Sequence, residues 1–456
     1  MRRKENGALY GMFFIIAMII GGALYVYSSA TFERESPEIV MPNDGYWNLK
    51  DPLQLSIGDR SGLKSYKVTL KTSAEESVLS HEQFLEPKGS VTLKIESPKS
   101  VFTMKDKELK ITVEAQDASR WNFFQGNGLK REYTLKIDKK KPIVNIISNS
   151  YKISKGGSAL IIFKVEDENL KDFYIQTNFD KKFSAQPFYK EGYYVALVAW
   201  PTTEPNFKVT VVAQDHAQNA TQAYVPLYLN EKNYKISNIK LNDGFLKGKI
   251  AELAEEFDET QGVFDPIEQF KIINEKVRMK NEALIHEITS KVPKTMVDDF
   301  RINKMYPLRN GAVVAYFGDH RIYSYNAKDV SESYHMGLDL ASNAQAEIRP
   351  QNGGEVVYAD YNGLYGNMPI ISHGLGLYTL YGHCSSINVH VGDIIQPGTH
   401  IANTGKSGYA MGDHLHFGVL VQGVEVHPAE WMDGDWMRLN ITDVIKSAKE
   451  IIDKKV

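Results

Sequence analysis

His335, Asp339, His383, His414 and His416 are the side chains whose types and spacing could carry out chemistry. In Tyr334-His335-Met336-Gly337-Leu338-Asp339-Leu340, apolar residues alternate with His335, Gly337 and Asp339. Strand side chains point to opposite faces at period two. This predicts His335 and Asp339 on one face, with Met336, Leu338 and Leu340 in a core and Gly337 leaving room for an ion. Asp413-His414-Leu415-His416-Phe417-Gly418-Val419 repeats the logic, with His414 and His416 backed by Leu415, Phe417 and Val419. Two imidazoles and a carboxylate suit zinc, and three protein ligands leave one position for water. Zinc would lower the pKa of that water to about 7 and polarise a carbonyl. Hydrolysis then needs a proton carrier and a group facing the developing oxyanion, for which His414 and His383 are the candidates. Of the remaining histidines, His373 before Gly374 is the one expected to back the site. Cys384 is expected to be a small buried hydrophobe.

The elements around these residues are β-rich. Residues 303–433 are dense in Gly, Tyr, Val and Ile, and an amphipathic helix is expected over 440–454. Residues 242–293 change to helical period. Phe245, Ile250, Leu253 and Phe257 form one stripe. Asp265-Pro266-Ile267-Glu268 starts a second helix as N-cap, proline at the first position and glutamate three residues on. Its stripe runs Ile267, Phe270, Ile273, Val277, Leu284, Ile288, and Pro293 stops it. This segment is expected to be a spacer that packs on its neighbours, with a cover over the catalytic cleft as the alternative. Earlier, LQLSI, SYKVTL, VTLKI, LKITVEA and EYTLKI alternate as strands, with turns at Asn43-Asp44-Gly45 and Ser61-Gly62. ITVEAQDAS ending at Ser119 recurs as VTVVAQDHA ending at Ala217. Asp59, Asp117, Asp167 and Asp215 fall at matching places, and Asx-turns are the expected role rather than calcium sites. The repeat length suits an antiparallel sandwich of about seven strands. The two copies, 37–138 and 139–231, weakly resemble bacterial immunoglobulin-like modules.

Residues 303–433 resemble the M23 metallopeptidases, also called LytM or lysostaphin-like domains. The resemblance rests on Phe317-Gly318 with Arg321, His335-x-Gly337-x-Asp339-x-Ala341, Gly354-x-Val356-x-Tyr358, Tyr365-Gly366-Asn367, Tyr381-Gly382-His383, Val391-Gly392-Asp393 with Pro397-Gly398, and Thr404-Gly405-Lys406-Ser407-Gly408 through Gly412-Asp413-His414-Leu415-His416-Phe417. It implies that His335, Asp339 and His416 hold one zinc ion per domain. It also implies that His414 assists the water and that His383 helps stabilise the transition state. The implied fold is a small antiparallel β-domain with a groove for extended peptide. Asp413 stands where the family often has proline, outside the ligand positions.

The first residues set the compartment. Met1-Arg2-Arg3-Lys4 is basic, and 8–28 is an almost uncharged stretch long enough to span a bilayer. Arg2, Arg3 and Lys4 favour a cytoplasmic tail over 1–7, which places the rest across the membrane. The expectation is a single-pass protein of the inner membrane with its catalytic domain in the periplasm; a cleaved signal peptide, with small residues at Ser28-Ser29-Ala30, is the alternative. A net charge of -3 gives no electrostatic case for nucleic acid. The combined reading is a mainly β, multidomain, membrane-anchored zinc endopeptidase acting on peptidoglycan cross-links as a D,D-endopeptidase, with cell-wall or division proteins as partners. The alternative is a non-catalytic LytM-type adaptor that activates cell-wall amidases.

Overall fold

A computed structural model describes residues 5–41, 44–73, 75–98 and 106–454. The basic tail at 1–4 and Asn43 of the first expected turn lie outside the described residues. The chain is mostly β and divides into two units: Met1–Pro142 with Asp167–Asp172 and Gln214–Thr221, and Ile143–Glu166 with Phe173–Ala213 and Gln222–Val456.

The first unit opens with the helix Glu5–Ser28. Its stretch Leu9–Ser28 is apolar and long enough to cross a membrane. A six-stranded sheet follows, ordered Glu38–Val40, Leu53–Lys71, Glu108–Asp117, Gly128–Ile137, Tyr46–Trp47, with Glu76–Ile95 also paired to Leu53–Lys71. Ser61-Gly62 is not a turn. Leu53–Lys71 runs straight through it, with register shifts between Gly58 and Ser65. Extra residues in a strand bend it. One strand therefore pairs with Glu38–Val40 near its start and with Glu108–Asp117 near its end. Trp47, Leu55, Val68, Ile111 and Leu135 fill the core. The aspartates cap turns: Asp59 accepts the Ser61 N–H at 2.8 Å, and Asp167 accepts the Asn169 N–H at 2.7 Å. Buried Asp117 and Asp215 each hold an asparagine amide, Asn127 and Asn219, at 2.7 Å.

The second unit contains a four-stranded sheet ordered Gln186–Pro187, Tyr193–Ala199, Ser158–Glu166, Ile143–Asn149. An eight-stranded sheet carries the C-terminal region. Its order is Ala312–Ala315, Leu338–Ala341, Leu415–Val421, Leu377–Gly382, Asn367–Ser372, Gly354–Tyr361, Ile394–Ile395, with Val424–Val426 also on Leu415–Val421. Beside it, a three-stranded sheet joins Ile236–Lys240, Asp319–Tyr325 and Lys328–His335.

The helical segment packs on its neighbours as a layer of this region. Leu246, Ile250, Leu253, Phe270, Ile273, Val277 and Ile285 form one core with Tyr323, Ile370, Tyr378, Leu380 and Leu420. Asp265 caps the second helical run as expected, accepting the Ile267 N–H. Its buried stripe shifts by one residue near the end: Ile285 is buried and Leu284 is 40% exposed. The wide π-turn Ile273–Val277 explains the shift, because it inserts a residue into the 3.6 period.

Glu430, in the helix Pro428–Trp431, accepts the Ser158 N–H at 3.2 Å. Burial pushes its carboxyl up from 4.5 to about 7, against the opposing pull of Ser158 and Lys232. A raised acid favours the folded state when protonated. That stability is complete below 4.5 and lost as pH rises through about 7. In metal-free protein, Glu430→Gln should therefore show a higher urea midpoint relative to wild type at pH 8 than at pH 5. Phe270 is fully buried between Phe245 and Tyr323. Phe270→Ala should lower the stability of the second unit by about 3–5 kcal/mol in urea unfolding. A helix without packing partners would lose far less.

Candidate metal centre

Asp339 and His416 are register partners across the antiparallel strands Leu338–Ala341 and Leu415–Val421. His416 in turn sits opposite Gly382 of Leu377–Gly382. His335 arrives from elsewhere, as the last residue of Lys328–His335 in the three-stranded sheet. His335 and Asp339 therefore do not share one strand, and two sheets meet at the site. Leu338 and Leu340 enter the core as expected, whereas Met336 lines the cavity. Gly337 makes room for a side chain, not an ion: a Cβ there would run into the His416 imidazole.

The three side chains converge. Asp339 Oδ1 lies 2.9 Å from His335 Nε2 and 2.9 Å from His416 Nδ1, and those two nitrogens are 3.1 Å apart. All three residues are buried. His335 Nδ1–H donates to the Tyr316 carbonyl at 2.9 Å, which leaves the Nε2 lone pair facing Asp339 and His416. Burial opposes ionisation of Asp339, but the adjoining His335 and His416 imidazoles outweigh it and hold the carboxyl well below its usual range. Burial also lowers His416, against the pull of Asp339. Three donors of these types at these separations fit a small divalent cation such as zinc.

His414 and His383 flank the cluster. His414 precedes its strand and bridges to Gly405, with Nε2 3.6 Å from Asp339 Oδ2. Its Nδ1–H donates to the Gly412 carbonyl at 2.8 Å. His383 Nδ1–H donates to the Ser407 carbonyl at 2.9 Å. Both rings thus present a bare Nε2. Gly408 permits this arrangement at His383, since a side chain there would strike the 363–366 loop. Burial, with His416 and His414 nearby, drives His383 down to about 3, so its ring is neutral. The His383 and His414 rings are 4.8 Å apart.

A cavity of about 400 Å³ opens over the five residues. The helical segment supplies part of its wall through Asn242, Phe245 and Arg278, opposite Arg321, Tyr323 and Tyr409. Tyr365 stacks edge-on to His416 at 5.4 Å, and its hydroxyl reaches Glu282 of the helix at 3.4 Å. Phe245 belongs to the apolar stripe read from the sequence, whereas no pattern singles out Asn242 or Arg278 as wall residues. His373 does not back the site. It joins Gly353 and Thr379, and Thr379 pairs with Val419 on the sheet face opposite His416. Cys384 is buried outside the cluster with its thiol against the Tyr381 carbonyl.

Gly337→Ala should keep the fold and weaken zinc binding at least tenfold in chelator competition, because the new methyl displaces the His416 ring. Unchanged affinity would contradict the packing role assigned to Gly337.

Residues 333–428 match the sequence profile of Peptidase family M23. The DD-carboxypeptidase/endopeptidase Mpg of Neisseria meningitidis serogroup B is 32% identical over 94 residues, 21% of this chain and 22% of that protein. The Murein hydrolase activator EnvC of Escherichia coli is 30% identical over 111 residues, 24% of this chain and 26% of that protein. The catalytic domain of lysostaphin from Staphylococcus simulans is 25% identical with a TM-score of 0.23, covering 27% of this chain and 92% of that one. The chain spans about a quarter of the length of the curated relatives it matches. Residues 333–428, which include all five clustered side chains, are a domain of peptidase family M23.

Proposed function

We propose that the chain is a membrane-anchored zinc endopeptidase that hydrolyses peptide cross-links of peptidoglycan, with D,D bonds as its target. His335, Asp339 and His416 hold the metal, and His414 and His383 complete the site. The observation that carries this reading is the complete donor cluster, with one Asp339 oxygen 2.9 Å from nitrogens of both His335 and His416, at the floor of a peptide-sized cavity. Zinc in that position supplies Lewis acidity toward water and a peptide carbonyl.

The chain's own groups do the rest. His414, oriented by the Gly412 carbonyl, offers Nε2 as the proton acceptor, 3.6 Å from Asp339 Oδ2. His383 stays neutral and buried. Its Nδ1–H is held by the Ser407 carbonyl, and its Nε2 faces the reacting groups as an acceptor. Arg278 and Arg321 line the cavity near Tyr409 and suit a substrate that carries carboxylates, as peptidoglycan stem peptides do. Phe245, Tyr323 and Tyr409 form an apolar wall for an extended chain. The name of the Neisseria relative supports a D,D bond as target. In this reading residues 8–28 anchor the protein in the inner membrane, and the β modules at 37–138 and 139–231 carry the 303–433 domain into the periplasm. The name of the Escherichia relative favours a second reading, a domain that activates another hydrolase.

Digestion of purified sacculi by zinc-loaded, detergent-solubilised full chain, followed by mass analysis of muropeptides, separates the two. The endopeptidase converts cross-linked dimers to monomers. No product from metal-loaded protein, with stimulation of an added amidase, favours the activator. His416→Ala should lose both zinc and activity. His414→Ala should keep most zinc and lose turnover by about 10²–10⁴-fold. Equal metal loss in both variants would overturn this division of roles.

A further inference from the structure

The first unit displays an aromatic loop with no role in the site. Trp121, Phe123 and Phe124 lie in the short turn Trp121–Phe124 and are 36%, 94% and 71% exposed. Three aromatic side chains so close together in water forgo the burial that normally stabilises them. The backbone is held against its preference as well. Asn122, Phe123 and Phe124 have φ of 51°, 55° and 69°, and each left-handed non-glycine residue costs about 1 kcal/mol or more. The loop thus spends backbone strain to turn two phenylalanines outward.

Its position supplies the reason. The loop is fastened to the segment that leaves the apolar helix Glu5–Ser28. Arg120 N–H donates to the Thr31 carbonyl at 2.6 Å. Ser119 Oγ donates to the Glu33 carbonyl at 2.6 Å and accepts the Trp121 N–H at 3.0 Å. The Arg34 guanidinium bridges two rings, 5.2 Å from Tyr27 in the last turn of the helix and 4.4 Å from Trp121. The loop therefore stands level with the end of the stretch Leu9–Ser28. Aromatic residues with adjacent arginines are the composition that the headgroup region of a bilayer favours. Arg34 and Arg120 are both exposed there.

We propose that Trp121–Phe124 is a second membrane contact, seating Trp121, Phe123 and Phe124 among the headgroups of the bilayer that the helix Glu5–Ser28 spans. The occupant of this surface is phospholipid. The proposal rests on the reading of residues 8–28 as a retained anchor. Two anchors at one edge would fix the tilt of the first β unit on the membrane, where a lone helix would let it swivel.

The test uses the full chain in phosphatidylethanolamine–phosphatidylglycerol vesicles, with Phe123→Cys carrying an environment-sensitive fluorophore. Leu85→Cys, on the strand Glu76–Ile95 and fully exposed, is the comparison. Both sites are at the surface, so neither substitution removes core packing, and the one native cysteine is buried. The expected result is a blue-shifted emission at 123, quenched several-fold more by lipids with a nitroxide near the headgroup than by lipids with one at the acyl end. Position 85 should stay aqueous. Resistance to carbonate extraction reports on the helix separately. If the chain stays in the vesicles while 123 remains aqueous, the loop proposal falls and the anchor reading stands. If carbonate removes the chain, both fall. Equal quenching at 85 and 123, or a blue shift at 123 without lipid, would overturn the proposal in favour of non-specific adhesion or self-association.

Discussion

One oxygen, Oδ1 of Asp339, lies 2.9 Å from a nitrogen of each of two imidazoles. His335 comes from the edge of a three-stranded sheet, while Asp339 and His416 face each other across two strands of the eight-stranded one. A buried carboxylate with cationic or metal partners is stable only if those partners stay in place. The contact between the sheets must therefore be rigid. Tyr316 fixes the His335 tautomer from one side, and Gly337 lets the His416 ring lie flat against the connecting turn.

The helical layer packs behind both sheets. The strand Ile236–Lys240 pairs in parallel with Asp319–Tyr325 and so extends the sheet that delivers His335. The helices that follow bury the back of the neighbouring strands through Phe270, Ile273, Val277 and Ile285. They reach the site as well. Asn281 of the second helical run bonds the Leu364 N–H at 2.9 Å, and Glu282 meets the Tyr365 hydroxyl. Tyr365 then packs against His416. A helix is thus coupled to the donor cluster through one aromatic ring, and the same helix supplies Arg278 to the cavity wall.

His414 and His383 each turn an acceptor nitrogen toward the cavity. Carbonyls at Gly412 and Ser407 claim the Nδ1 protons of His414 and His383. The two rings differ in environment. His383 is buried and neutral, whereas His414 lies nearer solvent and beside the free oxygen of Asp339. Two similar side chains thereby acquire different capacities from position alone.

The residue types at 335, 339, 383, 414 and 416 were legible in the sequence, and so was the alternation that turns His414 and His416 toward one side. The apolar N-terminal span, the β-rich body and the capped start at Asp265 were legible too, because they depend on local pattern. Single-strand phase misjudged His335 and Asp339, since Gly337 lies in a break between sheets that period two cannot register. Ser61-Gly62 read as a turn because a bulge and a turn use similar residues, and only long-range pairing distinguishes them. Local spacing likewise could not place His373 on the far face of the sheet. The sequence alone determined which atoms could bind and move protons. Tertiary structure decided that helices a hundred residues away would wall the cavity, because burial and contact are set by packing between elements distant along the chain.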